Sequence, residues 1–172
     1  MSDRFVIVIE GVDKTGKSSL AAALRETLGW PVVKSSQTTG PDAALQEYLD
    51  VLEHQKGHFI ADRFHLGESV YGPVYRGTPP MDDAAVRLVE IRLLERGCLL
   101  VLMEDYAAAI AGRFKAHGED FARAADVSDL LLRFDNEWRR SRLAKIRARW
   151  DELVVPQAVL GVVQQLMRGM VR

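Results

Sequence analysis

Gly11-Val12-Asp13-Lys14-Thr15-Gly16-Lys17-Ser18 follows an apolar, β-branched run at residues 5–9 and opens a stretch of helical period. The segment meets G-x-x-x-x-G-K-[ST] at every fixed position, between the strand and the helix that this motif requires. Its glycines let the backbone turn tightly and approach an anion. A row of N–H groups and the positive end of the next helix then face the charge. Lys17 is placed to reach the β- and γ-phosphates of a nucleoside triphosphate, and the Ser18 hydroxyl to complete a Mg²⁺ shell. Gly11, Thr15, Gly16 and Ser19 complete the cradle. The expected cofactors are therefore ATP and Mg²⁺.

The rest of the chain reads as alternating strand-length apolar runs and longer helical stretches, the pattern of a parallel α/β fold. Strands are predicted at 5–9, 32–33, 59–61, 98–103 and 153–155. Helices are predicted at 17–28, stopped by Gly29, and at 41–54, with Leu45, Leu49 and Leu52 on one face. Three more are predicted from a cap at Asp82 to Gly97, at 106–114, and from a cap at Asp126 to about residue 150, and a last one begins near 157. Residues 66–76 are mixed in character. The expectation is one domain over 1–172: a three-layer α/β fold, five parallel strands with helices on both faces, and a small lid at about 113–126. Ligands in such sheets bind outside the carboxyl ends of the strands.

A second signal stands at one of those ends. Asp62-Arg63-Phe64 follows the third strand. A carboxylate there can hold Mg²⁺ through water or orient an acceptor, and Arg63 can clamp a phosphate in bidentate fashion. A surface ion pair at a strand end is the alternative. Asp13, inside the phosphate loop, can accept from a sugar hydroxyl or can simply form the turn.

With both motifs the chain resembles the thymidylate kinase family of P-loop nucleoside monophosphate kinases, most of all its compact, phage-type members. The likeness lies in Ile9-Glu10-Gly11-Val12-Asp13-Lys14-Thr15-Gly16-Lys17-Ser18. It continues through Asp62-Arg63-Phe64-His65-Leu66-Gly67-Glu68-Ser69-Val70-Tyr71 and the downstream Arg76. The resemblance implies ATP-dependent phosphorylation of a deoxynucleoside monophosphate, dTMP-like, to the diphosphate. It implies Asp13 on the acceptor sugar, Lys14 on the moving phosphoryl, Asp62 on metal or acceptor, and Arg63 on the acceptor phosphate. Phe64, Tyr71 and Arg76 would line the acceptor pocket, and Arg113 and Lys115 would supply lid charge. Members are often dimers, so a homodimer is among the expectations. The family's Phe-Pro-x-Arg after the second strand is here Val33-Lys34-Ser35-Ser36, and Gly72 stands where a base-reading Gln is frequent.

Two other readings stay open: a kinase for a hydroxyl acceptor (nucleoside, other metabolite or nucleic acid), and a non-catalytic nucleotide-binding module. No Asn-Lys-x-Asp reads a guanine base. The net charge of −1 provides no global field toward nucleic acid or membrane. The basic run Arg139, Arg140, Arg142, Lys145, Arg147 and Arg149 reads as a solvated helix face. Trp138 and Trp150, at helical spacing, read as core. One cysteine, Cys98, excludes an internal disulfide. The first apolar run is too short for a signal peptide or a membrane span, so the expected compartment is the cytoplasm. His54 and His58 straddle Gly57, which breaks the helix a shared metal would need.

Overall fold

The computed structural model describes residues 4–35, 40–118, 122–151 and 154–170. Its centre is β1 (Val6–Gly11), buried at every position. It is flanked by β3 (Phe59–Asp62) and β4 (Cys98–Met103), also buried throughout. β2 (Val32–Lys34) and β5 (Ala144–Ala148) form the edges. All pairs are parallel, in the order β2-β3-β1-β4-β5. Such strands need apolar side chains on both faces, which is why β1 and β4 read as unbroken apolar runs.

The two faces are covered by separate helix layers. Val6 and Val8 of β1 and Cys98, Leu100 and Leu102 of β4 face one cluster. It also holds side chains of α2 (Pro41–His54), α3 (His65–Tyr71), α4 (Asp83–Arg96), α5 (Ala107–His117) and α6 (Val127–Arg140). Ile7, Ile9, Leu99, Val101 and Met103 face the other, against α1 (Lys17–Leu28) and α7 (Val154–Gly169). A side chain such as Ile7, wholly buried, contributes on the order of 2 to 5 kcal/mol by the cost of cutting it to alanine. The three-layer expectation holds.

α1 ends at Gly29 with φ 69°, its N–H bonded to the Arg25 carbonyl. α4 is capped by Asp82, whose carboxylate accepts from the Ala85 N–H at 2.7 Å. The stretch after α3 is a π-helical segment, Gly72–Arg76, and Ala124–Asp126 is a 3₁₀ turn before α6.

The last strand and the helix before it depart from the sequence reading. α6 stops at Arg140, and residues 144–148 form β5, whereas a helix to about residue 150 was expected. Of the predicted strand at 153–155, Leu153 lies outside the described residues and Val154 begins α7. The basic residues explain the misreading. On β5, Ile146 and Ala148 pack on the α1/α7 cluster. Lys145 and Arg147 point the other way and lie over the Trp138 ring at 4.5 and 4.1 Å. Alternation of apolar and cationic residues is an edge-strand pattern, and charge at an edge blocks pairing with another chain. No described helix is long and apolar enough to cross a membrane.

Register brings the carboxyl ends of the inner strands level. Ile9 stands beside Asp62, and Gly11 beside Met103. The candidate site is built on that edge.

Candidate active site at the carboxyl edge of the sheet

The loop after β1 is tight enough to specify its glycines. At Gly11, φ is 137° and an added Cβ would come to 2.1 Å from the Met103 carbonyl oxygen. At Gly16, φ is 93° and an added Cβ would strike Trp150 at 2.7 Å. Lys14 also takes a positive φ, 65°, a strain that non-glycine residues carry mainly where a function demands it. Thr15 closes the turn by donating to the Val12 carbonyl at 2.7 Å. Ser18 and Ser19, at the start of α1, are exposed.

Lys17 is folded back into its own loop. Its Nζ donates to the carbonyls of Gly11 at 2.8 Å and Val12 at 2.7 Å, and lies 3.3 Å from Asp13 Oδ1. Burial lowers its pKa to about 8, with Asp13 opposing the shift. The same Asp13 oxygen accepts from Arg63 Nη2 at 2.8 Å. Arg63 thus reaches the phosphate loop from the neighbouring strand, on a backbone with φ 73°. Its N–H is bonded to the Ile9 carbonyl, and its own carbonyl accepts from Ser35 Oγ. Lys34, exposed at the end of β2, stands in register with Asp62. Ser36 lies outside the described residues.

Asp62 and Ser18 also meet, Ser18 Oγ donating to Asp62 Oδ2 at 2.9 Å. Asp62 Oδ1 is buried and has no hydrogen-bond partner among the described residues. A hydroxyl and a carboxylate with a vacant lone pair suit Mg²⁺, which takes one or two protein oxygens and completes its octahedron with water and phosphate. Among the described residues no group of three His, Cys, Asp or Glu could hold a metal alone. That includes His54, bonded to the Asp50 carbonyl, and His58, stacked on Trp30.

Glu10 is where sequence reasoning was least informed. One buried oxygen, Oε1, accepts from the N–H groups of Phe64 at 2.9 Å, Leu66 at 3.0 Å and Gly67 at 3.3 Å. The carboxylate satisfies the first turn of α3 and fixes the angle at which Asp62-Arg63 leaves β3. Burial nonetheless raises its pKa, outweighing His65, those N–H groups and Lys17. His65 is wholly buried, with Nε2 3.6 Å from Glu90 Oε1. Burial works to raise the Glu90 pKa; His65, Ser141 and Arg142 together hold it below the ordinary value.

The remaining predicted residues fall into two groups. Phe64 is buried against Tyr48, rings 4.5 Å apart. Tyr71 is buried too, its hydroxyl accepting from the Asp13 N–H at 3.1 Å, so it braces the loop from below. Burial raises the phenol's pKa well above its usual value. Arg76 pairs with Glu68. On the opposite flank Arg113 donates to the Lys14 carbonyl at 2.9 Å and to Asp105 Oδ2 at 2.5 Å. Arg149 lies 3.4 Å from the other Asp105 oxygen. Burial alone would raise the Asp105 pKa; Arg113 and the Tyr106 N–H reverse that, and the carboxyl sits below its usual value. Lys115 is exposed on α5, and the Glu119-Asp120 part of the expected lid lies outside the described residues. Trp150, read from the sequence only as core, and Asp105, which carried no signal there, both stand beside the loop: their places depend on strands that meet only in the sheet.

No family model matches the chain. It is 28% identical over 175 residues to a thymidylate kinase of Clavibacter sepedonicus, spanning 88% of this chain and 74% of that one. It is 24% identical over 129 residues to the SPbeta prophage-derived protein YorR of Bacillus subtilis (strain 168), spanning 73% and 77%. The crystal structure of YorR in complex with phosphorylated GDP superposes with TM-score 0.81 at 19% identity, over 92% of this chain and 95% of that one. Deoxyadenosine kinase from M. mycoides with bound dATP superposes with TM-score 0.63 at 14% identity, over 93% and 100%. The fold is that of the P-loop kinases.

Proposed function

We propose that this chain transfers the γ-phosphate of Mg-ATP to a deoxynucleoside monophosphate, yielding ADP and the deoxynucleoside diphosphate. The observation that carries the reading is the arrival of Arg63 at Asp13, 2.8 Å away, from the strand next to the phosphate loop. Nucleotide binding alone needs the loop and Lys17. A second cation on a separate element suits a second anion, the phosphate of an acceptor lying in line with the donor.

In this reading Lys17 leaves the carbonyls of Gly11 and Val12 and turns to the β- and γ-phosphates. Lys14 and Arg113 neutralise charge on the phosphoryl in flight. Arg63 holds the acceptor phosphate, and Asp13, released by both cations, accepts from the acceptor's sugar hydroxyl. Ser18 and Asp62 would hold Mg²⁺, which when bound neutralises the donor phosphates. An oxygen of the acceptor phosphate attacks the γ-phosphorus and the bond to the β-phosphate's bridging oxygen breaks. A phosphate acceptor is already ionised near neutral pH and needs no strong base, in keeping with a buried Glu10 occupied by backbone N–H groups.

Likeness in sequence points to dTMP as the first acceptor to try, through the Clavibacter thymidylate kinase. Guanine-nucleotide binding in YorR widens the panel. The test is ADP release from Mg-ATP with dTMP, dUMP, dGMP, dAMP, dCMP, their nucleosides and an oligonucleotide. Turnover with one or a few monophosphates is expected. Turnover confined to nucleosides or the oligonucleotide would move the assignment to a hydroxyl-acceptor kinase. The missing arginine of Phe-Pro-x-Arg, where this chain has Ser36 and offers only the exposed Lys34 nearby, would then be the leading clue.

A further inference from the structure

Arg63 is held in a conformation it would not choose. Its φ of 73° lies in the left-handed region, costly for a residue with a Cβ and kept only where neighbours over-determine it. On one side its own N–H is fixed to the Ile9 carbonyl. On the other, Glu10 Oε1 takes the N–H groups of Phe64, Leu66 and Gly67. The residue that Glu10 skips, His65, is met through its side chain instead. His65 opens α3 and is wholly buried, and its Nε2 faces Glu90 Oε1 of α4 at 3.6 Å.

Glu90 is itself only 4% exposed. Its other oxygen accepts from the Arg142 N–H at 3.1 Å, in the turn between α6 and β5. Among the described residues, neither imidazole nitrogen nor Glu90 Oε1 has a hydrogen-bond partner, so each is the other's nearest polar company. Against burial, which raises both, the imidazole draws down the pKa of Glu10 on one side and of Glu90 on the other. The ring therefore lies between two carboxylates. Stability is a poor reason for such a cluster, because buried charged pairs are on average no better than apolar groups of equal volume. What it does supply is direction: it sets the first turn of α3 against α4, two residues from Arg63.

We propose that His65 and Glu90 are positioning residues for Arg63: through the start of α3 they keep it left-handed, with its guanidinium at the phosphate loop. The inference rests on the monophosphate-kinase reading above, in which that guanidinium holds the acceptor phosphate. Neither His65 nor Glu90 touches substrate. Without the charge of Glu90 facing it, the His65 ring is free to turn and the first turn of α3 loses its side-chain tether. Arg63 then relaxes toward the negative φ that ordinary residues prefer, and its guanidinium leaves Asp13. Misplacing a positioning group by about 1 Å costs on the order of a hundredfold in rate.

The experiment is a double-mutant cycle on kcat/KM for the monophosphate that the unmodified protein turns over, with Mg-ATP saturating. Glu90→Gln keeps an acceptor for the Arg142 N–H and removes the charge facing His65. His65→Phe keeps a ring and removes its nitrogens. Each should lower kcat/KM roughly 10- to 100-fold, mainly by raising the acceptor's KM, while the ATP-induced rise in melting temperature is retained. Glu90→Asp, which keeps the charge, should lose less than Glu90→Gln. In an Arg63→Ala background either change should cost less than about twofold, because no guanidinium is left to misplace. Where Arg63→Ala turns over too slowly, the dissociation constant of the monophosphate, read by calorimetry, completes the same cycle. Full additivity, or loss of the ATP-induced rise in both Glu90→Gln and His65→Phe, makes the pair structural. Either result overturns the proposal and leaves the kinase reading standing. Silence of the unmodified protein with every monophosphate overturns both.

Discussion

Burial holds the Lys17 ammonium to a pKa of about 8 against an ordinary value of 10.5. A folded-state pKa below the unfolded one makes this lysine unfavourable to the free fold at neutral pH, and the penalty fades as pH rises from about 8 toward the unfolded value. A bound triphosphate reverses the preference, because its charge stabilises the ammonium. ATP affinity should therefore be level below about pH 8 and weaken by up to about tenfold per unit above it, with proton uptake on binding visible by calorimetry in two buffers of different ionisation enthalpy. Lys17→Met should fold, lose the ATP-induced thermal shift and lose at least about a hundredfold in turnover. Glu10 carries the opposite sign. Its carboxyl titrates above the ordinary range, so its contribution to stability is complete below the unfolded value and declines as pH rises through the folded one. Glu10→Gln keeps an acceptor for the three N–H groups and should cost about 1 kcal/mol or less. Glu10→Ala strands them and should cost about 3 kcal/mol or more, read from urea midpoints at constant slope. The lysine's partners lie within its own loop, four to six residues back. The glutamate's partners lie more than fifty residues away, and no periodicity could name them.

Two elements show how tertiary packing decides local structure. Residues 139–149 looked helical because Trp138 and Trp150 share a helical spacing and the basic residues read as a wet face. Only the open edge of β4 makes residues 144–148 a strand, and the ledge of Trp138 makes their cations useful. Trp138→Ala should destabilise the fold by about 2 kcal/mol, from lost area and two cation contacts, as read by thermal unfolding. A lower result, near zero, would leave β5 held by its backbone ladder alone. The second element is the turn before α6. Tyr75 donates its hydroxyl to Asp126 at 2.9 Å and accepts from the Arg123 N–H at 3.1 Å, tying this turn to the π-helical segment. Tyr75→Phe removes both bonds. It should loosen residues 122–126 by about 1 kcal/mol, seen as faster amide exchange there with the sheet unchanged. In the sequence the whole of 66–76 was simply mixed, since a π turn has no periodicity of its own.

For the molecule as a whole, ligand linkage offers the broadest check. Mg-ATP at a hundredfold excess over its dissociation constant should add about 2.7 kcal/mol to stability, a rise of a few degrees in melting temperature. Chelating the metal should remove most of the rise, because Ser18 and the vacant Asp62 oxygen are matched to a hard cation. The sequence by itself determined the layers, the three buried inner strands and the place of the phosphate loop. Those rest on local quantities: continuous apolar runs, glycines that backbone angles demand, and helix caps within a few residues. It also named Asp13, Lys17, Asp62 and Arg63, because a strand followed by a fixed motif has one geometry. Tertiary structure alone decided that Arg63 and Lys17 share one oxygen of Asp13, that Glu10 anchors α3, that Trp150 closes on Gly16, and that Glu68 and Arg76 stand together beside Gly72. Each is a contact between segments whose proximity is set by strand order and register, and a linear pattern records neither.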